Sequence, residues 1–412
     1  MEATLEKRVG FKMTKLGWIP DDWDIVKFGD LLESKNSLGY GILQPAKNID
    51  GGVHMLRTVD LTDSGIKDIN KVIKVSQELS NQYKRTILNG GEVLISVMGT
   101  LGRTLVVPNS FKGWNVNRAL AVARFKKNVD TTFIVQTLRS PQFERRIIQE
   151  ALGSAQKRIN LNDLKRYPLI YPPLKEQHAI SKILSACDDN IADTKQIIKL
   201  LKSRKNGLMQ QMLTGKKRLN GFDGKWNEAK LGMYFKERKE TGFNNLPLLS
   251  VGIEGVYPQD QSEKKDTSNS DKSKYKRICY GDIGYNTMRM WQGRSALSKI
   301  EGIVSPAYTI VKPNENANPI FFSYLFKLEE MIHKFYRNSQ GMVSDTWMCK
   351  FKDFSIVKFQ APPTKEEQDA IAEILQSADK EIANYESKLL VLEEQKKGLM
   401  QQLLTGQKRV KV

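Results

Sequence analysis

Cysteine and histidine are almost missing from this chain of 412 residues, which has three of each. Cys187, Cys279 and Cys349 lie far apart and none has a Cys-x-x-Cys partner, which argues against a disulfide framework and a zinc site. His54, His178 and His333 are equally isolated, as surface or structural histidines are, so no bound metal is expected. Long apolar runs are missing too: nothing approaches the roughly 20 residues of a membrane-crossing helix. The first residues are polar and basic, without the apolar centre of a secretion signal, so a cytoplasmic protein is expected. Phosphate-binding loops are also lacking. Gly-x-x-x-x-Gly-Lys-Ser/Thr does not occur, Gly99–Arg103 being too short and without a lysine, and no Gly-x-Gly-x-x-Gly follows a strand. Glu237-Arg238-Lys239 and Glu263-Lys264-Lys265 imitate part of a nuclease motif, but a chain with 27% charged residues produces such triplets by chance. Catalysis by this chain is not expected.

Negative charge is the remaining deficit. Against 65 Lys and Arg stand 46 Asp and Glu, a net charge of +19. So basic a balance on a folded chain points to a polyanion, most often nucleic acid. An acidic protein partner, or charge kept for solubility, is the plainer alternative.

What is present is an internal repeat. The stretch from Glu176 to Arg218 returns from Glu367 to Arg409 at a fixed shift, with roughly half the positions identical. Glu176-Gln177, Ala179-Ile180 and Ile183-Leu184 recur as Glu367-Gln368, Ala370-Ile371 and Ile374-Leu375. Gly207-Leu208-Met209-Gln210-Gln211 and Leu213-Thr214-Gly215 recur as Gly398-Leu399-Met400-Gln401-Gln402 and Leu404-Thr405-Gly406.

Both copies predict one long helix of about 40 residues, some 60 Å in length. Pro172-Pro173 and Pro362-Pro363 precede the first turns, and Gly215 and Gly406 sit just past the last. Apolar residues alternate at steps of three and four, the period of a coiled-coil seam. The first seam runs Ile180, Leu184, Cys187, Ile191, Thr194, Ile198, Leu201, Lys205, Leu208, Met212. The second runs Ile371, Leu375, Ala378, Ile382, Tyr385, Leu389, Leu392, Lys396, Leu399, Leu403. Lys205 and Lys396 are the only charged seam positions and are repeat mates. A charge on a seam costs stability and restricts register, so a defined antiparallel pairing of the two helices is expected. Two separate amphipathic helices, each packed on its own domain, are the alternative.

The regions before the helices echo each other more faintly. Trp23, Lys27 and Gly29 match Trp226, Lys230 and Gly232; Tyr83-Lys84-Arg85 matches Tyr275-Lys276-Arg277; Gly91-Glu92-Val93 matches Gly281-Asp282-Ile283. Their texture is mixed. Val93–Val97, Leu105–Val107 and Ala119–Phe125 predict strands around the turn Gly99-Thr100-Leu101-Gly102. Phe133–Glu150 and Pro319–Arg337 predict helices, and Gln261–Ser273 a mobile polar loop. The expected fold is therefore α+β: two similar globular domains of strands and helices, separated by two long helices. The boundaries fall at 1–174, 175–216, 217–364 and 365–412.

Contacts to bases and phosphates come from Arg, Lys, Asn, Gln and Ser in turns. In the first half the candidates are Arg57-Thr58, Lys84-Arg85, Thr100, Arg103, Asn115, Asn117-Arg118 and Gln156-Lys157-Arg158. In the second they are Lys276-Arg277, Arg289, Gln292, Arg294, Ser339-Gln340 and Ser344. Any one alone reads more simply as a solvated surface residue; as a set beside glycines at matching places they favour a contact surface.

These features resemble the DNA specificity subunit of type I restriction-modification systems. The resemblance is carried by Gly17-Trp18-Ile19-Pro20-Asp21-Asp22-Trp23, by Gly99-Thr100-Leu101-Gly102-Arg103, and by Gly153-Ser154-Ala155-Gln156 leading to Tyr171-Pro172-Pro173-Leu174-Lys175-Glu176-Gln177. The two Gly-Leu-Met-Gln-Gln-x-Leu-Thr-Gly helix ends complete it. It covers nearly the whole chain; Gln340-Gly341 only loosely echoes the Gly-Ser-x-Gln segment. The resemblance implies that each globular domain is a target recognition domain for one half of a bipartite, asymmetric site on double-stranded DNA. It implies that the helices set the spacing and dock adenine methyltransferase subunits, which motor/nuclease subunits join for restriction. S-adenosylmethionine, ATP and magnesium would belong to those partners, and no cofactor to this chain. Adenine methyltransferases carry Asn/Asp-Pro-Pro-Tyr/Phe, whereas Tyr171-Pro172-Pro173-Leu174 lacks the polar first residue. Two rivals stand beside this expectation: a non-specific nucleic-acid-binding coiled-coil scaffold, and a stand-alone DNA-modifying enzyme with an unrecognised site.

Overall fold

A computed structural model describes residues 9–43, 48–62, 65–152, 158–253, 255–261, 271–341 and 347–412, with backbone alone at 148 and 150–152. The chain folds as two compact units, Met1–Gln196 with Ser387–Val412, and Ile197–Glu386. The long helices run Leu174–Met212 and Lys365–Leu403, so each unit holds the beginning of one helix and the end of the other.

In the first unit a four-stranded antiparallel sheet has the order Thr104–Val106, Val93–Ser96, Leu120–Ala123, Leu38–Tyr40. Its two central strands are buried throughout because both faces of the sheet are covered. Alternation along the strands feeds two cores. Val93, Ile95, Ala121 and Ala123 face a core with Phe28, Phe133, Ile180 and Leu184. Leu94, Leu120 and Val122 face another with Leu56, Leu88 and Val116.

The second unit repeats this design. Its sheet runs Ser295–Leu297, Ile283–Asn286, Tyr308–Pro313, Phe235–Glu237. Ile283, Tyr285 and Val311 join a phenylalanine-rich core with Ile371 and Leu375, while Ala296 and Ile310 join Leu249, Ile278 and Val304 on the other face.

Within each unit the two helix segments run antiparallel. In the first, Lys195 pairs with Glu393 at 2.8 Å and Asp188 with Lys396 at 2.6 Å. In the second, Lys202 pairs with Glu386 at 2.7 Å and Lys205 with Asp379 at 2.5 Å. The fold is thus α+β with an internal repeat and an antiparallel helix pair. Every seam residue from Ile180 to Met212 and from Ile371 to Leu403 is buried or half-buried. The two seam lysines are the ones that find aspartates on the facing helix, which is how a charge is tolerated there.

Two expected helices are each divided. Phe133–Glu150 becomes Thr131–Leu138 and Pro141–Leu152, because Pro141 has no N–H to continue the first helix and starts the second. Ser140 caps the new start, accepting from the Phe143 N–H at 3.3 Å. Pro319–Arg337 becomes Pro319–Leu325 and Glu329–Asn338. Here buried Leu328 takes an extended conformation, and the Lys327 ammonium donates to the Gly293 and Ser295 carbonyls. Helical periodicity is blind to such a tertiary anchor. Of the expected loop Gln261–Ser273, residues 262–270 lie outside the described residues.

Each unit is closed by the same three side chains, which sequence reasoning did not single out. In the first, the buried Glu176 carboxylate accepts from the Trp23 indole at 3.3 Å and from Arg409 at 2.5 and 2.8 Å. In the second, buried Glu367 accepts from Trp226 at 3.2 Å and from Arg218 at 2.6 and 2.9 Å. Each arginine follows the end of one helix and each glutamate opens the other. Gly406 and Gly215 permit the approach: both have left-handed φ, +72° and +70°, and a Cβ would stand 2.4 Å from Pro20 or 3.0 Å from Trp226. The signal was available, since Trp, Glu and Arg are all repeat mates outside the seam.

Candidate nucleic-acid interface

The hairpin turn after Ser96 is built by that residue. Its hydroxyl donates to the Thr100 carbonyl at 2.5 Å and accepts from the Arg103 N–H at 2.8 Å. Gly99 and Gly102, with φ of +77° and +81°, supply the left-handed steps. Three other segments converge on this turn. The Val97 N–H donates to the Ala119 carbonyl, beside Asn117 and Arg118; the Asn117 N–H donates to the Leu56 carbonyl, beside Arg57. Met98 bridges to Arg158. Thr100, Arg103, Asn117, Arg118, Arg57 and Arg158 therefore share one end of the sheet.

Their side chains differ in freedom. Thr100, Arg118 and Arg158 are exposed. Arg103 is half-buried, one guanidinium N–H donating to the Leu61 carbonyl at 2.9 Å. Asn117 turns its side-chain oxygen back to the Ala119 N–H. Arg57 is engaged by Asp60 through two bonds of 2.9 and 3.0 Å, which raises its pKa. Lys84 and Arg85 are exposed but sit elsewhere: the Arg85 carbonyl accepts from Arg124, which follows Ala123 at the opposite end of the strand. Gln156 and Lys157 lie outside the described residues. Asn115 and Thr58 are not surface groups. Asn115 is fully buried, accepting from Thr86 at 2.7 Å and donating to the Ser80 hydroxyl at 3.1 Å; Thr58 is buried too.

The second unit repeats the corner by the same bonds. The Thr287 N–H donates to the Ala307 carbonyl at 3.0 Å, as Val97 does to Ala119, and Cys349 donates to the Thr287 carbonyl as Ile159 does to Val97, both at 2.9 Å. The turn is closed by Asn286 donating to the Arg294 carbonyl, with Gly293 at φ +72°. It brings together Arg289, half-buried, with exposed Gln292 and Arg294. Gln340 pairs with Met348, next to Cys349, and so reaches the same end. Arg277 is clasped by Glu301 at 2.8 Å and Glu240 at 2.9 Å. Lys276 donates to the Tyr308 carbonyl at 2.8 Å, and burial lowers its pKa. Ser339 donates to the Phe335 carbonyl; Ser344 lies outside the described residues.

Among the described residues no three His, Cys, Asp or Glu side chains converge as metal ligands, and no helix is long and apolar enough to cross a membrane. His54 stacks on Trp114 at 4.2 Å, and His178 stands 3.9 Å from Asp130.

A family described as the type I restriction modification DNA specificity domain matches residues 20–203 and 263–394. This chain belongs to the family of type I restriction-modification DNA specificity subunits, with one matched segment beginning in each half. It is similar to the type I restriction enzyme EcoBI specificity subunit of Escherichia coli, 33% identical over 47% of this chain and 41% of that protein, less than half of that relative's length. It is similar over nearly the full length to the putative type I restriction enzyme MjaX specificity subunit of Methanocaldococcus jannaschii, 25% identical over 98% of each. Its fold is similar to the crystal structure of a type I restriction-modification system S subunit from M. genitalium, with a TM-score of 0.55, 16% identity, and 92% of this chain and 96% of that one covered.

Proposed function

We propose that this chain selects the DNA sequence for a type I restriction-modification complex by reading two half-sites of an asymmetric duplex target, one with each unit. The observation that supports this most is that one sheet corner, with a glycine turn and arginines at its rim, is built twice by the same backbone bonds while its side chains differ. A conserved frame with divergent tips is what two readers of different half-sites need. In this reading Thr100, Arg103, Asn117, Arg118 and Arg158 serve one half-site, and Arg289, Gln292, Arg294 and Gln340 the other. Arg57 and Arg277, held by carboxylates, and Lys276, held by a carbonyl, shape the surfaces beside them. Lys84 and Arg85, exposed at the opposite end of the strand, serve flanking phosphates.

The antiparallel helices set the distance between half-sites and dock adenine methyltransferase subunits, with motor/nuclease subunits joining for restriction. The chain itself carries out no chemistry and binds no cofactor; S-adenosylmethionine, ATP and magnesium act on the partners, in the cytoplasm. The test is co-expression with a cognate methyltransferase subunit and mapping of methylated adenines across the genome. A two-part motif with a fixed unread spacer is expected. Methylation without sequence preference overturns the proposal.

A further inference from the structure

The second unit holds a cavity of about 420 Å³ at its reading corner. Its wall includes Lys276, Lys350 and Lys352, the hydroxyl-bearing Thr287 and Thr309, and one carboxylate, Glu237. The place in the fold is fixed by the backbone: Thr287 opens the turn that carries Arg289, Gln292 and Arg294, and Cys349, next to Lys350, donates to the Thr287 carbonyl. Lys350 and Lys352 are exposed, and although the Lys350 backbone N–H donates to Asp353 at 3.1 Å, neither ammonium makes an ion pair among the described residues. Three cations against one carboxylate leave a concave wall with surplus positive charge, which draws an anion. The Thr287 and Thr309 hydroxyls bond each other at 2.8 Å.

The first unit closes the same corner with apolar groups. Val97, Ala121, Ile159 and Leu161, which stand where Thr287, Thr309, Cys349 and Phe351 stand in the second, belong to its core. The Tyr40 hydroxyl donates to the Ile159 carbonyl at 3.4 Å and accepts from the Leu161 N–H at 3.3 Å at the same corner. Among the described residues the cationic cavity is therefore a feature of the second unit and not of the repeated fold.

We propose that this cavity seats a phosphate of the DNA backbone, so that the second unit is registered on its half-site by an anchor with no counterpart among the described residues of the first unit. The inference rests on the duplex-reading function proposed above. A phosphate positions a reader without carrying sequence information, and a seat beside the turn fixes where Arg289, Gln292 and Arg294 meet the groove. Burial keeps the Lys276 pKa below its ordinary value, a cost that an incoming anion offsets.

The test uses the full chain assembled with its methyltransferase partner, on the duplex carrying its methylated motif. Affinity is measured against salt for wild type and for Lys350→Gln with Lys352→Gln, both at exposed positions where folding is not at stake. The salt slope should become shallower by about 0.9 for each phosphate that the variant no longer neutralises, with an equal loss of affinity on the motif and on duplexes altered in the second half-site. A duplex series with a single uncharged methylphosphonate should show one position near that half-site that weakens wild type and leaves the variant unmoved. Inorganic phosphate, added at constant ionic strength, separates a free-anion site from a backbone seat. If it binds in a Lys350- and Lys352-dependent way while DNA affinity and slope are unchanged, the backbone assignment is overturned. If the variant binds DNA with the wild-type slope, the anchor is overturned while the reading function stands. If wild type itself shows no preference for the motif, the reading function falls and the anchor with it.

Discussion

Two kinds of arginine separate at the residue scale. Arg409 and Arg218 each neutralise a glutamate that has been taken out of water, Glu176 and Glu367. Removing such a partner strands a buried charge with, among the described residues, one indole N–H left to satisfy it, a loss of about 3 kcal/mol even though Arg409 is itself partly exposed. Arg409→Ala and Arg218→Ala should each lower stability by that order in urea unfolding. Adding Glu176→Gln to Arg409→Ala should recover part of the loss, since a neutral amide needs no counter-charge. Additive losses in the double variant would mean that the glutamate carries no buried charge. Arg103 and Arg294 are different: they are repeat mates at the two turns, and neither meets a carboxylate among the described residues. Alanine at either should cost about 1–3 kcal/mol of binding and relax preference in one half-site only. The check is competition binding with duplexes altered in each half-site in turn; an even loss across all sequences would assign these arginines to phosphates.

Pairing of the long helices hangs on a few charged groups at the element scale. Lys205 sits on the seam with its ammonium on Asp379, which also accepts from Tyr324 at 2.6 Å. Its repeat mate Lys396 meets Asp188, which also accepts from Gln136 at 2.7 Å. Lys205→Asp should destabilise the helix pair by about 2 kcal/mol through like charge in a half-buried setting, and Asp379→Lys added to it should restore most of that loss. Thermal melts of the four members of this cycle decide it; no coupling between the sites would mean that register is set by the apolar seam alone. The seam was legible because coiled-coil period is a local property, and the charged mates showed that the pairing was specific. What each lysine meets was not legible, since it depends on which helix faces which. The same limit applies to the candidate site. Glycines marked the turns, but only the folded sheet separates Lys84 and Arg85 from Thr100, and buries Asn115 while Arg118 stays exposed. Pro141 could have divided Phe133–Glu150 in advance; nothing local announces the break at Leu328.

The arrangement of the pairs suggests how the whole molecule can be measured. Each long helix begins in one unit and ends in the other, and the Lys–Asp pairs, the Lys195–Glu393 and Lys202–Glu386 pairs and both tryptophan–glutamate–arginine clusters lie inside a unit. Residues added to both helices at the boundary, after Gln196 and after Glu386, leave all of these intact. Four residues in each are one stutter, which a coiled coil absorbs by local unwinding, and lengthen the helix by roughly 6 Å. DNA rises about 3.4 Å per base pair. If the helices are the spacer, the unread segment of the methylated motif should grow by one to two base pairs, with both half-site sequences unchanged. The same insertion in one helix alone shifts the seam residues past their partners, so that variant should lose stability rather than acquire a new spacing. Genome-wide methylation mapping reads the first outcome and urea unfolding the second. An active double insertion that keeps the old spacing would show that something other than the helices holds the half-sites apart.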